Sequence, residues 1–406
     1  MKGINSRLKA LARKSLNAAT ICDHILAEQT EHNIKVSTAE SKVKTLLWLS
    51  RYLNEKPFEQ MTKQDILSYL NSLRKPTSIG PQQKWVGSYN NRLRYYAKFF
   101  RWLYNKEEPD HRRRITPACI QGLRQLPRQE KSSYKPSDLW DNREHAVFLK
   151  YCPSARDRCY HAMANDMSAR PHEILNLKIK DIVFKSTDEG IHYAEVLIRG
   201  GKTKPRTLPI IDSLPYLKEW LQQHPSGGNT DSWLFVSLAD TNIGKKLNRD
   251  SLLAKYQYQY KAIYFPRLLQ DQTLADADKT VIRNMPTKPW NLYVLRHSAL
   301  TEKSQILTES TLRDHAGWTM TSKMPSVYVH YFGTESAKKL LEAKGVIQRN
   351  NVSVNILKSK PCPNCSEPNK PDAQFRMRCK MVLSYNSYKS TIEENQRIQQ
   401  KQEEKS

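Results

Sequence analysis

Apolar residues recur at every third or fourth position through residues 31–127, and this spacing restricts that part of the chain to amphipathic helices. One predicted helix, with Thr38 as its expected N-cap, buries Val43, Leu46, Leu47, Ser50 and Leu53. Thr62 followed by Asp65 predicts the capped start of another helix. A third helix carries on its apolar face Tyr89, Leu93, Tyr96, Ala97, Phe100 and Leu103. The sequence therefore predicts a helical bundle over residues 31–127.

The charge on this bundle has one dominant sign. The other face of the third helix carries Arg92, Arg94, Lys98 and Arg101, and residues 1–30 are predicted to form a further basic helix. The whole chain of 406 residues has 66 Lys and Arg against 40 Asp and Glu, a net charge of +26. Lys and Arg that neutralise phosphates release counterions, which supplies most non-specific affinity for nucleic acid. A basic face that only contacts water is the alternative, but the excess of one sign favours a helical module that holds double-stranded DNA.

A polar stretch without periodicity, residues 128–137, predicts a linker between two domains. The following residues, 138–346, mix helical patterns with two short strands at 194–198 and 207–211, which a basic turn joins. We therefore expect a mainly α fold with a small antiparallel β-sheet. A small unit follows at 356–385, and the polar residues 386–406 are predicted to form a tail that is either disordered or a helix in need of a partner.

Composition excludes several classes of protein. No apolar run reaches the roughly 18 residues of a membrane span, and no apolar segment with a cleavage site follows the N-terminus, so we expect a protein of the reducing cytoplasm. Among seven cysteines, three cluster as Cys362, Cys365 and Cys379, which favours a metal over disulfides. This cluster has the spacing of half a zinc ribbon, but Arg376 stands where a fourth ligand would be. A degenerate ribbon without stable zinc, a three-cysteine site completed by an outside ligand, and incidental thiols all stay open.

Four separated segments of the second domain carry residue types that bind or attack a phosphodiester. Arg170 precedes an amphipathic helix, and Glu173 three residues later could orient its guanidinium. The basic turn contributes Lys202 as a proton donor, with Lys204 and Arg206 as further DNA-binding candidates. The last two segments contribute Tyr293 and Arg296, which are three residues apart on a helix, and then Trp318 and Tyr328. Each segment alone has an ordinary structural explanation, so the inference depends on the set.

The order of these landmarks resembles the tyrosine recombinase (phage integrase) superfamily: an Arg before a helix, a hairpin Lys, His-x-x-Arg, Gly-His or Gly-Trp, and a late Tyr. The resemblance covers about residues 35–345. The phrases that match are Glu173-Ile174-Leu175-Asn176-Leu177, Gly201-Lys202, Leu295-Arg296-His297-Ser298 and Tyr328-Val329-His330. It implies an integrase-type catalytic domain at 138–346, preceded by a helical core-binding domain at 31–127.

The resemblance also implies a role for each matching residue. Tyr328 would attack the scissile phosphate to give a 3′-phosphotyrosyl enzyme, and Lys202 would protonate the leaving 5′-oxygen. Arg170 and Arg296 would hold the non-bridging oxygens, Glu173 would support Arg170, and Trp318 would contact the phosphoryl group. Neither ATP nor a metal is needed for this chemistry, and any zinc would be structural.

The sequence departs from the family pattern at several positions. Tyr293 replaces the usual His of His-x-x-Arg, which resembles archaeal-type integrases and removes a base that acts near neutral pH. Ser168 stands where the family prefers Gly. Tyr331 is a rival to Tyr328 as the nucleophile, and Lys204 is a rival to Lys202 as the acid. His297 and His315 are weaker candidates to substitute for the missing His.

The implied function is site-specific cutting and rejoining of double-stranded DNA by a homotetramer, in the integration or excision of a mobile element. Two alternatives stay open on the sequence alone. A host recombinase that resolves chromosome dimers would use the same chemistry, and a DNA-binding relic would occupy sites without cutting. The target DNA sequence is not readable from the chain.

Overall fold

The computed structural model of this protein describes residues 6, 8, 10, 13, 15–76, 78, 83–127, 134–200, 205–329, 344, 356–362 and 366–373. The chain divides into two compact units, Met1–Ser133 and Tyr134–Ser406. No described helix combines the length and the apolar composition needed to cross a bilayer. Residues 128–133 of the predicted linker and all of the predicted tail lie outside the described residues.

Helices are the only regular elements of the first unit in the part that the structure describes, and its residues 105–127 form turns and irregular segments. Its helices are α1 (Ala18–His32), α2 (Val36–Tyr52), α3 (Lys63–Ser72) and α4 (Trp85–Tyr104), with a 3-10 turn at Phe58–Gln60. The predicted helix at 1–30 overlaps α1. The core joins the predicted apolar faces of α2 and α4 to Ile66 and Leu70 of α3 and to Phe58. Phe58 meets Phe99 edge to face with the ring centroids 4.7 Å apart. The apolar faces predicted from periodicity for α2 and α4 therefore contribute to the core of this unit.

The two predicted caps had different outcomes. Thr62 caps α3 as expected, because its hydroxyl accepts from the Asp65 N–H at 3.2 Å and its own N–H donates to the Asp65 carboxylate at 2.8 Å. The prediction that Thr38 caps α2 was wrong. The backbone N–H groups of Thr38 and Ala39 both donate to the Lys35 carbonyl, so the first turn forms earlier and Thr38 lies inside the helix.

The second unit is mainly helical around one small sheet. Its helices up to the sheet and just after it are α5 (Asn142–Tyr151), α6 (Ala155–Met167), α7 (Pro171–Ile174) and α8 (Leu214–Gln223). Further helices follow as α9 (Arg249–Ala254), α10 (Phe265–Leu268), α11 (Asp276–Asn284), α12 (Leu292–Lys303), α13 (Glu309–Ala316) and α14 (Met324–Val329). A π-helical stretch, Lys255–Tyr264, connects α9 to α10, and 3-10 turns lie at Pro136–Asp138, Ile179–Asp181, Asp240–Asn242 and Met285–Thr287.

The sheet has three antiparallel strands, in the order β1 (Ile182–Ser186), β2 (His192–Ile198) and β3 (Arg206–Ile210). Val196 pairs with both Ile182 and Leu208, and Ile198 pairs with Arg206. The sequence predicted β2 and β3 but missed β1. Four of the five β1 residues are exposed, so this edge strand lacks the alternating burial that marks a strand in sequence. A short hairpin, β4 (Lys360–Pro361) with β5 (Pro368–Asn369), lies near the C-terminus.

Two apolar clusters support the second unit. The larger cluster contains buried aromatic residues from five segments: Phe148, Tyr160, Trp220, Tyr256 and Trp290. The smaller cluster consists of Leu300, Leu312, Ala316 and Tyr328, with Trp318 packed against it. Tyr328 is thus attached to helices α12 and α13 through apolar contacts, although α14 itself is only six residues long. A helix of that length is marginal by itself, so packing determines the position of Tyr328.

Candidate active site

Arg170 lies at a turn that its backbone conformation defines. Helix α6 ends at Ser168, which has left-handed backbone angles (φ 48°), and Arg170 is the N-cap of α7 with Pro171 at the first helical position. This conformation explains why Gly would suit position 168. The Arg170 N–H donates to Glu173 at 2.9 Å, and its guanidinium donates to the other carboxylate oxygen at 3.0 Å. The predicted support of Arg170 by Glu173 is therefore present as a contact.

Glu173 binds a second guanidinium, which the sequence did not predict. Arg206 at the start of β3 donates to the Glu173 carboxylate at 2.9 Å, and only 10% of the Arg206 side chain is exposed. Burial of Glu173 raises its pKa, but the hydrogen bonds from Arg206 and the Arg170 backbone, with the charges of both residues, outweigh burial and lower the pKa to about 2. Glu173 is thus ionised at neutral pH and fixes two arginines from separate segments.

Arg296, on α12, contacts two other segments, the turns at Ser168 and at Ala316–Trp318. Its guanidinium donates to the Ser168 carbonyl at 2.6 Å and to the Ala316 carbonyl at 3.0 Å, and the residue is 4% exposed. Burial and the nearby charge of Arg170 lower its pKa to about 10, so it remains a cation at pH 7. The Arg296 guanidinium also lies 5.8 Å from the centroid of the Trp318 ring. Arg170 and Arg296, remote in sequence, therefore form one cationic site.

The Gly317–Trp318 turn closes the site on another side. Helix α13 ends at Gly317, whose φ of 65° is the left-handed conformation that favours glycine. A Cβ atom there would lie 2.6 Å from the Arg206 guanidinium, which also donates to the His315 carbonyl at 3.1 Å. Glycine is therefore favoured at this position for two reasons, the left-handed turn and the close approach of the Arg206 side chain.

Tyr328 lies in this site with its ring buried. Its ring stacks on Trp318 with the centroids 5.5 Å apart, and its exposed fraction is 1%. Its hydroxyl is 2.9 Å from Nδ1 of His297, the residue after Arg296. The charge of Tyr328 is among those that influence the pKa of Arg296. The structure thus brings Arg170, Glu173, Arg296, Trp318 and Tyr328 together.

Tyr293 and His315 occupy different positions from these residues. Tyr293 lies on the same helix as Arg296 but is 38% exposed. The Nε2 atom of His315 is buried without a hydrogen-bond partner in the described part of the chain. Burial, with the charges of Lys303, Arg206 and Arg296, lowers the pKa of His315 to about 3, so its ring is neutral.

The predicted DNA-binding cations of α4 have protein partners in the first unit. Arg92 contacts the Tyr69 hydroxyl and lies over the Trp48 ring, and Arg94 contacts Asn91. Lys98 lies 2.9 Å from the Glu28 carboxylate, and Arg101 donates to Thr116 at 3.0 Å. Their role in binding DNA stays a prediction.

Several predicted residues lie outside the described residues, namely Lys202, Lys204, Tyr331, Cys365 and Cys379. Cys362 is described: it is buried at the end of β4, and its N–H donates to the Glu367 carbonyl at 2.8 Å. The described residues contain no cluster of three metal-binding side chains. A structural zinc site therefore stays a prediction that one described thiol does not test.

Comparison with solved structures identifies the fold of this chain. No protein-family model and no curated protein sequence matches the chain. A lambda integrase dimer bound to a COC′ core site has a TM-score of 0.51 and 14% sequence identity, and the match covers 80% of this chain and 81% of that one. A lambda integrase(75-356) dimer bound to a COC′ core site gives 0.50 and 13%, over 75% of this chain and 96% of that one. The expected integrase fold, mainly helical with a small antiparallel sheet, is confirmed.

Proposed function

We propose that this chain is a site-specific DNA recombinase that cuts and rejoins double-stranded DNA through a covalent bond to Tyr328. The observation that supports this most is the convergence of Arg170, Arg296, Trp318 and Tyr328 within an integrase fold. Two guanidiniums beside a buried phenol suit a phosphodiester, because they match the charge that develops on its non-bridging oxygens.

The proposed reaction has two transesterifications. The Tyr328 oxygen attacks phosphorus, the 5′-oxygen leaves as Lys202 protonates it, and a 3′-phosphotyrosyl bond stores the energy for rejoining. Glu173 holds Arg170 and Arg206 in place through its carboxylate. Each group in this scheme is a side chain of the protein, so we expect cleavage to proceed without nucleotide or metal.

We further propose that exchange between two duplexes is carried out by a homotetramer, because four strands require four nucleophiles. Integration or excision of a mobile element is the favoured role. The net charge of +26 supports association with DNA within the cell.

Trapping of the covalent intermediate tests the proposal. Nicked suicide duplexes, tiled from the DNA on either side of the gene, are incubated with the protein and resolved on a denaturing gel. We expect a covalent protein–DNA adduct with one of them that disappears in Tyr328→Phe and persists in Tyr331→Phe. An adduct that persists in Tyr328→Phe but disappears in Tyr331→Phe would refute the choice of nucleophile. Binding without any adduct would favour the non-cutting relic.

A further inference from the structure

We propose that His297 is the catalytic base that accepts the proton of the Tyr328 hydroxyl during attack on the phosphodiester. The inference rests on the proposed function and adds a residue to its chemistry. The contact that carries it is the 2.9 Å separation of the Tyr328 hydroxyl oxygen from His297 Nδ1. This distance is within the range in which a positioned base removes a proton directly.

Bulk water and Tyr293 are both poorer acceptors of this proton than His297. Tyr328 is 1% exposed, so bulk water does not surround its hydroxyl. The family position for a base on this helix is occupied by Tyr293, whose phenol cannot accept a proton near neutral pH and which is 38% exposed. His297 lies on the same helix, four residues later, and contacts the oxygen itself.

The His297 ring packs against two aromatic rings from distant parts of the sequence. The Tyr328 ring stacks with it at a centroid separation of 5.6 Å, and the Tyr134 ring lies 4.6 Å from it. The Tyr134 hydroxyl in turn donates to Asn291 at 2.8 Å, which connects Tyr134 to the start of α12. A base oriented by such contacts needs little reorganisation at the moment of reaction.

The charge state of the ring also suits a base. Among the described residues, the titratable groups that contact His297 or shift its pKa are Arg296 on its own helix, Tyr134 and Tyr328. Burial and the charge of Arg296 lower the pKa of His297 to about 4, so at neutral pH the ring is uncharged and has a lone pair. A phosphodiester anion bound by Arg296 offsets that positive charge, so DNA binding makes the ring more basic when the proton must move.

Transfer of the proton to His297 accompanies the attack on phosphorus. The Tyr328 O–H bond breaks and its proton moves to the Nδ1 lone pair of His297, while the phenol oxygen forms a bond to phosphorus. The bond between phosphorus and the 5′-oxygen breaks, and that oxygen takes a proton from the proposed acid, Lys202. His297 ends as a cation and Lys202 as a neutral amine, and rejoining returns both protons.

The experiment compares two variants on two leaving groups. His297→Asn keeps a polar atom near the Nδ1 position but cannot take the proton, and Lys202→Ala removes the proposed acid. Each is assayed on the nicked duplex that traps the wild type and on the same duplex with a 5′-bridging phosphorothiolate, whose thiolate leaves without a proton. We expect His297→Asn to form the adduct about 10²–10⁴-fold more slowly on both substrates, as for loss of a general base. Lys202→Ala is expected to be slow only on the phosphate.

A second measurement separates proton transfer from positioning. Fluorotyrosine at position 328 is a more acidic phenol and depends less on a base, so it is expected to restore part of the rate in His297→Asn. Full-rate cleavage by His297→Asn would overturn the inference, as would rescue of this variant by the phosphorothiolate or failure of fluorotyrosine to restore any rate. If the wild type forms no adduct with any duplex, the proposed function fails and the inference falls with it.

Discussion

Glu173 is the residue whose ionisation most directly connects folding to the site. The Glu173 carboxylate binds Arg170 and Arg206, and only 2% of Glu173 is exposed. Sequence spacing was enough to predict the Arg170 contact, because residues three apart share a helical face. The Arg206 contact joins positions 33 residues apart through the sheet, and no local pattern indicates that the first side chain of β3 turns toward α7. From the sequence, Arg206 is therefore predicted only as a DNA-binding residue of the basic turn, and that role stays a prediction.

Replacement of Glu173 should change how stability depends on pH. The pKa of Glu173 is lowered from 4.5 to about 2, so its contribution is fully present above about pH 4.5 and is lost as the pH falls toward 2. That depression corresponds to at most about 3 kcal/mol. In Glu173→Gln we expect a lower free energy of unfolding at pH 7 and a weaker loss of stability between pH 4.5 and 2, measured by urea unfolding.

The matched control is Glu309→Gln. Glu309 also pairs with an arginine, Arg313 at 3.0 Å, but its side chain is 51% exposed. Exposed pairs contribute little, so this variant should keep the wild-type dependence on pH. Equal behaviour of the two variants would contradict the role given to Glu173.

Gly317→Ala should damage the site without removing any functional group. The new Cβ would lie 2.6 Å from the Arg206 guanidinium in a backbone with φ of 65°. We expect a loss of about 1–3 kcal/mol in stability and slower adduct formation, measured by urea unfolding and trapping. Gly228→Ala is the control, because a Cβ there meets no atom within 4 Å. Wild-type behaviour of Gly317→Ala would refute the close approach.

At the scale of elements, sequence periodicity predicted the amphipathic helices and missed the elements that bury few residues. Helices α2, α3 and α4 bury one face each, so their spacing is visible in sequence. Strand β1 is mostly exposed, and helix α14 has six residues, so neither has enough buried positions to produce a pattern. The position of Tyr328, the proposed nucleophile, depends on its packing against α12 and α13, which is tertiary information.

The N-cap of α12, Asn291, gives a testable prediction about the stability of this helix. The Asn291 side chain accepts from the N–H groups of Tyr293 and Val294, both at 3.0 Å, and from the Tyr134 hydroxyl at 2.8 Å. Asn291→Ala should cost about 1–2 kcal/mol of stability in urea unfolding, because it removes the cap of the helix that bears Arg296 and His297. Asn291→Asp keeps an acceptor at a helix N-terminus and should retain most of that stability. Equal losses in both would show that the cap is not the cause.

At the scale of the whole molecule, the charge predicts a steep dependence of DNA binding on salt. If the protein neutralises six to ten phosphates, its affinity for duplex DNA should fall by about 10³–10⁵ between 50 and 200 mM salt. Fluorescence anisotropy of Tyr328→Phe with a labelled duplex measures this without cleavage. Arg94→Gln should lower the slope of log affinity against log salt by about one if Arg94 contacts a phosphate. A flat dependence would contradict electrostatic binding despite the net charge of +26.

The two carbonyl partners of Arg296 have a practical consequence for mutagenesis of this protein. By donating to the carbonyls of Ser168 and Ala316, the guanidinium connects the C-terminal ends of α6 and α13 in the absence of DNA. Substitution of Arg296 would thus remove these structural contacts together with the proposed phosphate contact. Loss of activity in such a variant would not distinguish the two causes. Removal of the single phenolic oxygen of Tyr328 leaves both Arg296 hydrogen bonds in place, so Tyr328→Phe is the better inactive variant.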